Sequence, residues 1–211
     1  MAHETRWGKG GRYDDPIQAR EYILTATYKV VTRKGIDRTT IAEIAKQAKV
    51  SRPTIYRYFD SRDEIVQCLM AQRQDSFFEG MYETTKAFRD DFPRLVEECL
   101  CYAQAYNARN KSADLVSGPN AGRMTNYFYD DGTLKHWSRL LDEPYRHYRG
   151  ETGNVINLES LKGFLGLMVL MIRLYPRRNQ EVLRNQLQAF MALGKTERAR
   201  LRKTTPVVRR R

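Results

Sequence analysis

The stretch Thr39-Thr40-Ile41-Ala42-Glu43-Ile44-Ala45-Lys46-Gln47-Ala48-Lys49-Val50-Ser51-Arg52-Pro53-Thr54-Ile55-Tyr56-Arg57-Tyr58 decides the fold. Thr40 to Glu43 has the form of a capping box, in which a threonine hydroxyl and a glutamate three residues on satisfy the free N–H groups of a helix start. Ile41, Ile44 and Ala45 then fall at i, i+3 and i+4 and make one apolar face. That helix must end near Ala48, because Ser51 can cap another almost at once, with Pro53 in a first turn whose N–H groups are unpaired anyway. Two short helices, a tight turn and an apolar set of Ile41, Ala45, Val50 and Ile55 meet the requirements of a helix-turn-helix. The outward face of the second helix carries Arg52, Thr54, Tyr56, Arg57 and Tyr58. Guanidinium groups grip phosphate or guanine, threonine touches a base or a thymine methyl, and tyrosine hydroxyls reach phosphate oxygens. Taken alone, 51 to 58 reads more simply as a short surface helix whose tyrosines pack on their neighbours.

Working outward, Asp15 can cap a first helix, with Pro16 at its first position and Gln18 placed to close a box. Ile17, Tyr22, Ile23, Ala26, Tyr28 and Val30 give it a broadly helical apolar stripe, and Gly35 ends it. Downstream, Ser61 and Glu64 form another capping box and open a long periodic segment to about Tyr82.

The run from Ile23 to Ile65 resembles the DNA-binding domain of the TetR (tetracycline-repressor) family of transcriptional regulators. The likeness rests on Ile23, Ala26, Gly35, Thr39-Thr40-Ile41, Ile44-Ala45, Ala48, Val50-Ser51, Thr54-Ile55-Tyr56, Tyr58-Phe59 and Ser61-Arg62-Asp63-Glu64-Ile65. It implies an all-α chain with a three-helix DNA-binding head, a helical effector-binding and dimerising body, and usually repression of nearby genes. It further implies that Thr40, Tyr56, Tyr58 and Arg62 hold phosphates while Ser51, Arg52 and Thr54 lie nearest the bases. Two positions depart from the family pattern. Lys49 stands where the turn most often has glycine, so a left-handed backbone there would carry a strain of about 1 kcal/mol, although a lysine can also approach a phosphate. Arg62 replaces a commoner lysine and adds a planar fork to the charge.

The net charge of +12 is uneven. Residues 1–62 hold 13 Lys/Arg against 7 Asp/Glu, 194–211 hold 8 against 1, and the rest is nearly neutral with 16 against 17. A basic head suits a polyanion, because neutralising phosphates releases condensed counterions, but charge alone fits a solvated surface or an anionic membrane equally. The expected organisation is a flexible basic arm over 1–14, a helix-turn-helix domain over 15–60, a helical ligand-binding and dimerisation domain over 61–193 and a basic, unstructured tail over 194–211. Arg6 to Arg12 combines glycine with positive charge and suits an adjacent minor groove, if it is not simply a free terminus. No apolar stretch approaches the roughly 20 residues of a membrane span and residues 1–12 contain no apolar core of a leader, so the cytoplasm is the expected location. Cys68, Cys99 and Cys101 are too few and irregular for a disulfide framework and read as reduced core thiols, with a sensor role as the alternative.

In the body, helices are expected over 94–109, 113–129, 133–149, 158–175 and 179–193. Leu158, Leu161, Phe164, Leu165, Met168, Ile172 and Tyr175 form a wide apolar face on which Gly163 and Gly166 permit close approach, and Val182, Leu183, Leu187, Phe190 and Met191 continue it. By resemblance these last two helices pair with their copies in a homodimer, which implies a pseudo-palindromic operator; otherwise they are ordinary intrachain packing. Phe77, Met81, Tyr102, Tyr106, Tyr127, Phe128, Trp137 and Tyr145 are the candidates to line a pocket for a largely apolar or aromatic effector, although an aromatic stripe is more often plain core. No metal or cofactor is expected: His3, His136 and His147 show no ligand spacing, Gly8 to Gly11 follows no strand, and the adjacent Glu97 and Glu98 point apart. An enzyme is therefore not expected. The chain reads as a sequence-specific regulator of double-stranded DNA; the alternative is a ligand- or partner-binding protein whose head lacks operator specificity.

Overall fold

The computed structural model describes residues 15–109, 131–153, 155–174, 181, 182, 185 and 187–189. Among them the regular elements are all helical, with no strand. They form two compact units, one holding 15–77 and the other the described residues from 78 onward.

In the first unit α1 spans Pro16–Lys34, α2 Ile41–Ala48 and α3 Arg52–Tyr56, and α4 (Arg62–Thr85) begins there. The starts follow the local chemistry of the sequence. Asp15 accepts the Ile17 N–H at 2.9 Å, Thr40 accepts that of Glu43 at 3.3 Å, Ser51 that of Thr54 at 3.2 Å and Ser61 that of Glu64 at 3.1 Å. Gly35 closes α1 at φ 82°, its N–H returning to Val31 O at 2.8 Å. At the end of α2, Lys49 is left-handed (φ 55°, ψ 42°). Lys49 and Val50 donate to Lys46 O at 3.3 Å and Ala45 O at 3.0 Å, the paired bonds of a Schellman turn, which satisfy carbonyls the helix leaves open. The Lys49 side chain is the one non-glycine at positive φ among the described residues. Lys49→Gly is therefore expected to raise thermal stability by about 1 kcal/mol; an unchanged melting temperature would show that the turn carries no strain.

Ile23, Leu24, Val31, Ile44, Ala45, Ile55, Phe59, Ile65 and Leu69 form one buried core, with Tyr28, Ile36, Ile41, Val50, Tyr58 and Cys68 partly buried against it. Of the expected cementing set, Ala45 and Ile55 are fully inside and Ile41 and Val50 lie at the margin, where Ile44 takes the central place. Ile17 departs from the expected stripe. It sits in the first turn of α1 and is 71% exposed, while Leu24, Thr27 and Val31 complete the buried face.

The second unit contains the end of α4, a 3₁₀ turn at Lys86–Phe88, α5 (Phe92–Arg109), α6 (Asp131–Thr152) and α7 (Leu158–Leu174). Asn107 donates to Ile172 O at 3.0 Å, joining α5 to α7 through a buried amide. Tyr145 donates to Ile156 O at 2.6 Å and accepts from Ile156 N at 2.9 Å, pinning the segment that follows α6. Of the expected apolar face, Leu161, Leu165, Met168 and Ile172 are buried along α7 and Leu158 and Phe164 half-buried, while Val169 and Leu170, outside that face, are buried as well; Tyr175 lies outside the described residues. Lys162 is buried among them at 3% exposure. It meets Asp142 at 2.7 Å, Glu159 at 2.8 Å and Ser138 Oγ at 2.9 Å. The expected helix over 113–129 lies outside the described residues; of that over 179–193, the described positions are helical.

None of the three cysteines is in a disulfide, and of them only Cys99 is fully buried; desolvation pushes its thiol up to about 12 despite a hydrogen bond with Thr85. Among the described residues no helix is long and apolar enough to cross a membrane.

Candidate nucleic-acid interface

The candidate recognition element is α3, Arg52–Tyr56, a helix of five residues. Five residues cannot hold a helix in water by themselves. Two anchors do it here: the Ser51 cap, whose hydroxyl also meets the Thr54 hydroxyl at 2.7 Å, and Ile55, which is fully buried. With Ile55 turned inward, Ser51, Arg52, Tyr56 and Arg57 are exposed and Thr54 and Tyr58 half-buried. Tyr56 is 54% exposed, a large apolar ring left in water with its hydroxyl available. Thr40 and Lys49 are also exposed, at the two ends of α2. The stretch 46–57 carries Lys46, Lys49, Arg52 and Arg57 with no carboxylate, so the surface around α3 is positive and unscreened by neighbouring acids in the chain.

Arg62 occupies a different setting from these. Its guanidinium donates to Thr39 O at 3.1 Å, to Ile36 O, and to Asp63 at 2.5 Å, so it ties the first turn of α4 to the α1–α2 connection. Five donors leave two N–H groups for a phosphate, but its first task is structural. Glu43 is likewise engaged, by Lys34 of α1, so this acid does not oppose phosphates as a free charge.

A family model described as "Bacterial regulatory proteins, tetR family" matches residues 23–69, which span this core and interface. Over this stretch the chain is similar to the TetR family. HbdR, an HTH-type transcriptional regulator of Aromatoleum sp. (strain CIB), is 26% identical over 99 residues, 47% of this chain and 43% of its own length. The chain thus spans under half the length of this relative. Solved structures extend the likeness in fold. The fatty acid degradation regulator FadR of Bacillus halodurans aligns at TM-score 0.60 with 17% identity, over 82% of this chain and 93% of its own. RolR in complex with the ligand resorcinol aligns at 0.54 with 20% identity, over 87% and 88%. At these identities they show the fold alone, an all-helical architecture that continues through the second unit. Members of the family bind DNA operators and small-molecule effectors and are dimers.

The expected effector residues are dispersed in their surroundings. Met81, Trp137 and Tyr145 are buried, Tyr102 and Tyr106 are half-buried with ring centroids 5.9 Å apart, and Phe77 belongs to the first unit. Burial, followed by the neighbouring Tyr106, raises the Tyr102 phenol above its ordinary value, so it stays a neutral donor at neutral pH. Tyr145 spends its proton on Ile156 O, whereas the Trp137 indole N–H is buried with no acceptor among the described residues. Tyr127 and Phe128 lie outside the described residues. Among the described residues no group of His, Cys, Asp and Glu is placed to hold a metal ion.

Arg20 and Glu64 were not marked by the sequence as part of the interface. Arg20 looks like one more surface cation on α1, and Glu64 like a capping acid; their meeting spans 44 residues.

Proposed function

We propose that the protein is a sequence-specific DNA-binding transcriptional regulator of the cytoplasm, acting as a repressor that a small, largely apolar or aromatic ligand releases from its operator. The observation that carries this reading is α3 itself, a capped turn anchored by the buried Ile55 and exposing Arg52 and Tyr56; in this reading Ser51, Arg52 and Thr54 face the bases and Thr40, Tyr56 and Tyr58 the phosphates. Lys49 and Arg57 add positive charge at its edges, and Arg62 keeps two donors for a phosphate beside its structural bonds. The named relative, a transcriptional regulator, supports the same function.

A homodimer is proposed through α7 and the helix after it. Leu167 is 51% exposed on α7, and a Cβ added to Gly163, one turn earlier, would meet nothing within 4 Å. Val182 on the following helix is 44% exposed. A two-fold dimer presents two copies of α3 to half-sites about 34 Å apart, which calls for a pseudo-palindromic site.

The effector reading rests on Met81, Tyr102, Tyr106 and Trp137 in the second unit, on the family's habit, and on RolR, which was solved with a small aromatic ligand. The buried Trp137 N–H favours a ligand that carries an acceptor, since a buried donor without a partner costs about 1–3 kcal/mol. Tyr145 of the same unit completes the proposed lining.

Selection of bound duplexes from random DNA tests the function. The expected result is a palindromic site bound with steep salt dependence. Tyr56→Ala should weaken binding to all sequences, while Arg52→Ala should relax discrimination at one base pair by about 1–3 kcal/mol. Recovery of no motif would overturn this reading and favour a partner-binding helical protein.

A further inference from the structure

A single guanidinium joins the segment that follows the recognition helix to both α1 and α4. Arg20, on α1, donates through one nitrogen to the carbonyl of Tyr58, two residues beyond the end of α3. Its other terminal nitrogen meets Glu64 Oε1 at 3.2 Å and Cys68 Sγ at 3.5 Å on α4. Its plane lies over the Phe59 ring, 4.0 Å from the centroid. Glu64 in turn receives the Asp60 N–H on its second oxygen at 2.6 Å. Tyr58, Phe59 and Asp60, three of the four residues between α3 and the Ser61 cap, are therefore gripped by one cation and one carboxylate.

This arrangement is more than a surface ion pair. Exposed pairs contribute little because both ends remain solvated and mobile. Here the cation also satisfies a backbone carbonyl and stacks on a buried aromatic ring, and the acid satisfies a backbone N–H, so the pair fixes main chain and not just side chains. The main chain it fixes carries Tyr56, Arg57 and Tyr58 into the proposed interface. The buried core holds α3 at Ile55, in the middle; the Arg20–Glu64 pair holds it at its C-terminal end.

We infer that Arg20 and Glu64 are positioning residues for DNA recognition, setting the pose of Tyr56 to Tyr58 without contributing a phosphate contact of their own. The inference rests on the proposed function and makes a prediction of sign. On long-range electrostatics alone, removing the Glu64 charge from a protein that binds a polyanion should strengthen binding. Positioning requires the reverse.

The experiment uses the full chain and the duplex recovered with it by selection from random DNA. Glu64→Gln keeps the shape of the side chain, and its affinity for that duplex is expected to fall on the order of tenfold. The slope of log affinity against log salt should stay as in the wild type, because no phosphate contact is lost. Arg20→Lys should fall similarly, since an ammonium cannot span Tyr58 O and Glu64 while stacking on Phe59. The double variant should lose less than the sum of the singles. Helix content and melting measured on each variant exclude simple unfolding; if Glu64→Gln melts before the assay temperature, Arg20→Lys carries the test. Equal or tighter binding by a folded Glu64→Gln protein overturns the inference, as does a salt slope for Arg20→Lys reduced by about one phosphate. If the wild-type chain selects no duplex, the proposed function fails and the inference falls with it; if the wild type selects one, only the positioning role is at stake.

Discussion

Ile55→Ala is expected to destabilise the N-terminal unit by about 2–5 kcal/mol and to abolish the proposed DNA binding at ordinary temperatures. Ile55 is wholly buried and shares one core with Ile23, Leu24, Ile44, Ala45, Phe59, Ile65 and Leu69, which come from α1, α2, α4 and the α3–α4 connection. Truncation removes apolar surface from that contact and leaves a cavity that so small a domain cannot readily close. The loss also falls on the element least able to bear it. A five-residue helix has almost no stability of its own, so its attachment depends on the inward residue and the Ser51 cap. Chemical denaturation followed by helical signal measures the cost; a loss below about 1 kcal/mol would mean that Ile55 is not the anchor described here. Tyr56→Ala supplies the contrast. It changes the next residue, which is 54% exposed, and should shift stability by no more than about 0.5 kcal/mol while still impairing DNA binding. Adjacent residues thus divide into one that holds the helix and one that the helix presents.

That division explains what a sequence can and cannot disclose about such a head. Caps are local: Asp15, Thr40, Ser51 and Ser61 each act on an N–H two or three residues away, and all four are legible because a short hydroxyl or carboxylate side chain before an apolar run has few other uses. The turn at Lys49 is also legible, because the resemblance marks the position as one where glycine is usual. Long-range polar partners are not. An arginine at 62 serves a phosphate or a carbonyl equally well, and only the fold brings it to Ile36 and Thr39, 26 and 23 residues back. Arg20 and Glu64 were hidden for the same reason. Periodicity misplaced Ile17 because the first turn of a helix can project past the core it belongs to. For the effector residues, spacing identifies a face but not whether that face encloses a ligand, so Met81 and Trp137 look the same as plain core. The second unit's buried lysine was the least visible feature, lying inside the apolar run from Leu158 to Ile172.

The strongest effect in that second unit is expected at Lys162. Burial works against its charge, but hydrogen bonds and attraction from Asp142 and Glu159 outweigh it and hold the ammonium above the ordinary lysine value of 10.5. A base whose folded value is raised contributes stability that is fully present below the unfolded value and is lost as pH rises through the folded one. The contribution of Lys162 is therefore intact at neutral pH and disappears in the range above 10.5. Lys162→Met keeps a long apolar stem in the buried position and leaves Asp142, which is 44% exposed, able to return to water. Its cost should be modest, and the gap in stability between it and the wild type should close as pH rises past that range. Lys162→Glu places a third carboxylate against Asp142 and Glu159 in the same buried position. It is expected to cost about 3–5 kcal/mol at neutral pH, the scale of an uncompensated buried charge, and to recover in part on acidification as the new carboxyl takes up a proton. Denaturation of the three proteins across pH measures both effects. Indifference of stability to Lys162→Glu would show that the ammonium is not enclosed by α6 and α7, and a wild-type-to-Met gap that persists at high pH would show that Lys162 acts through its stem and not its charge.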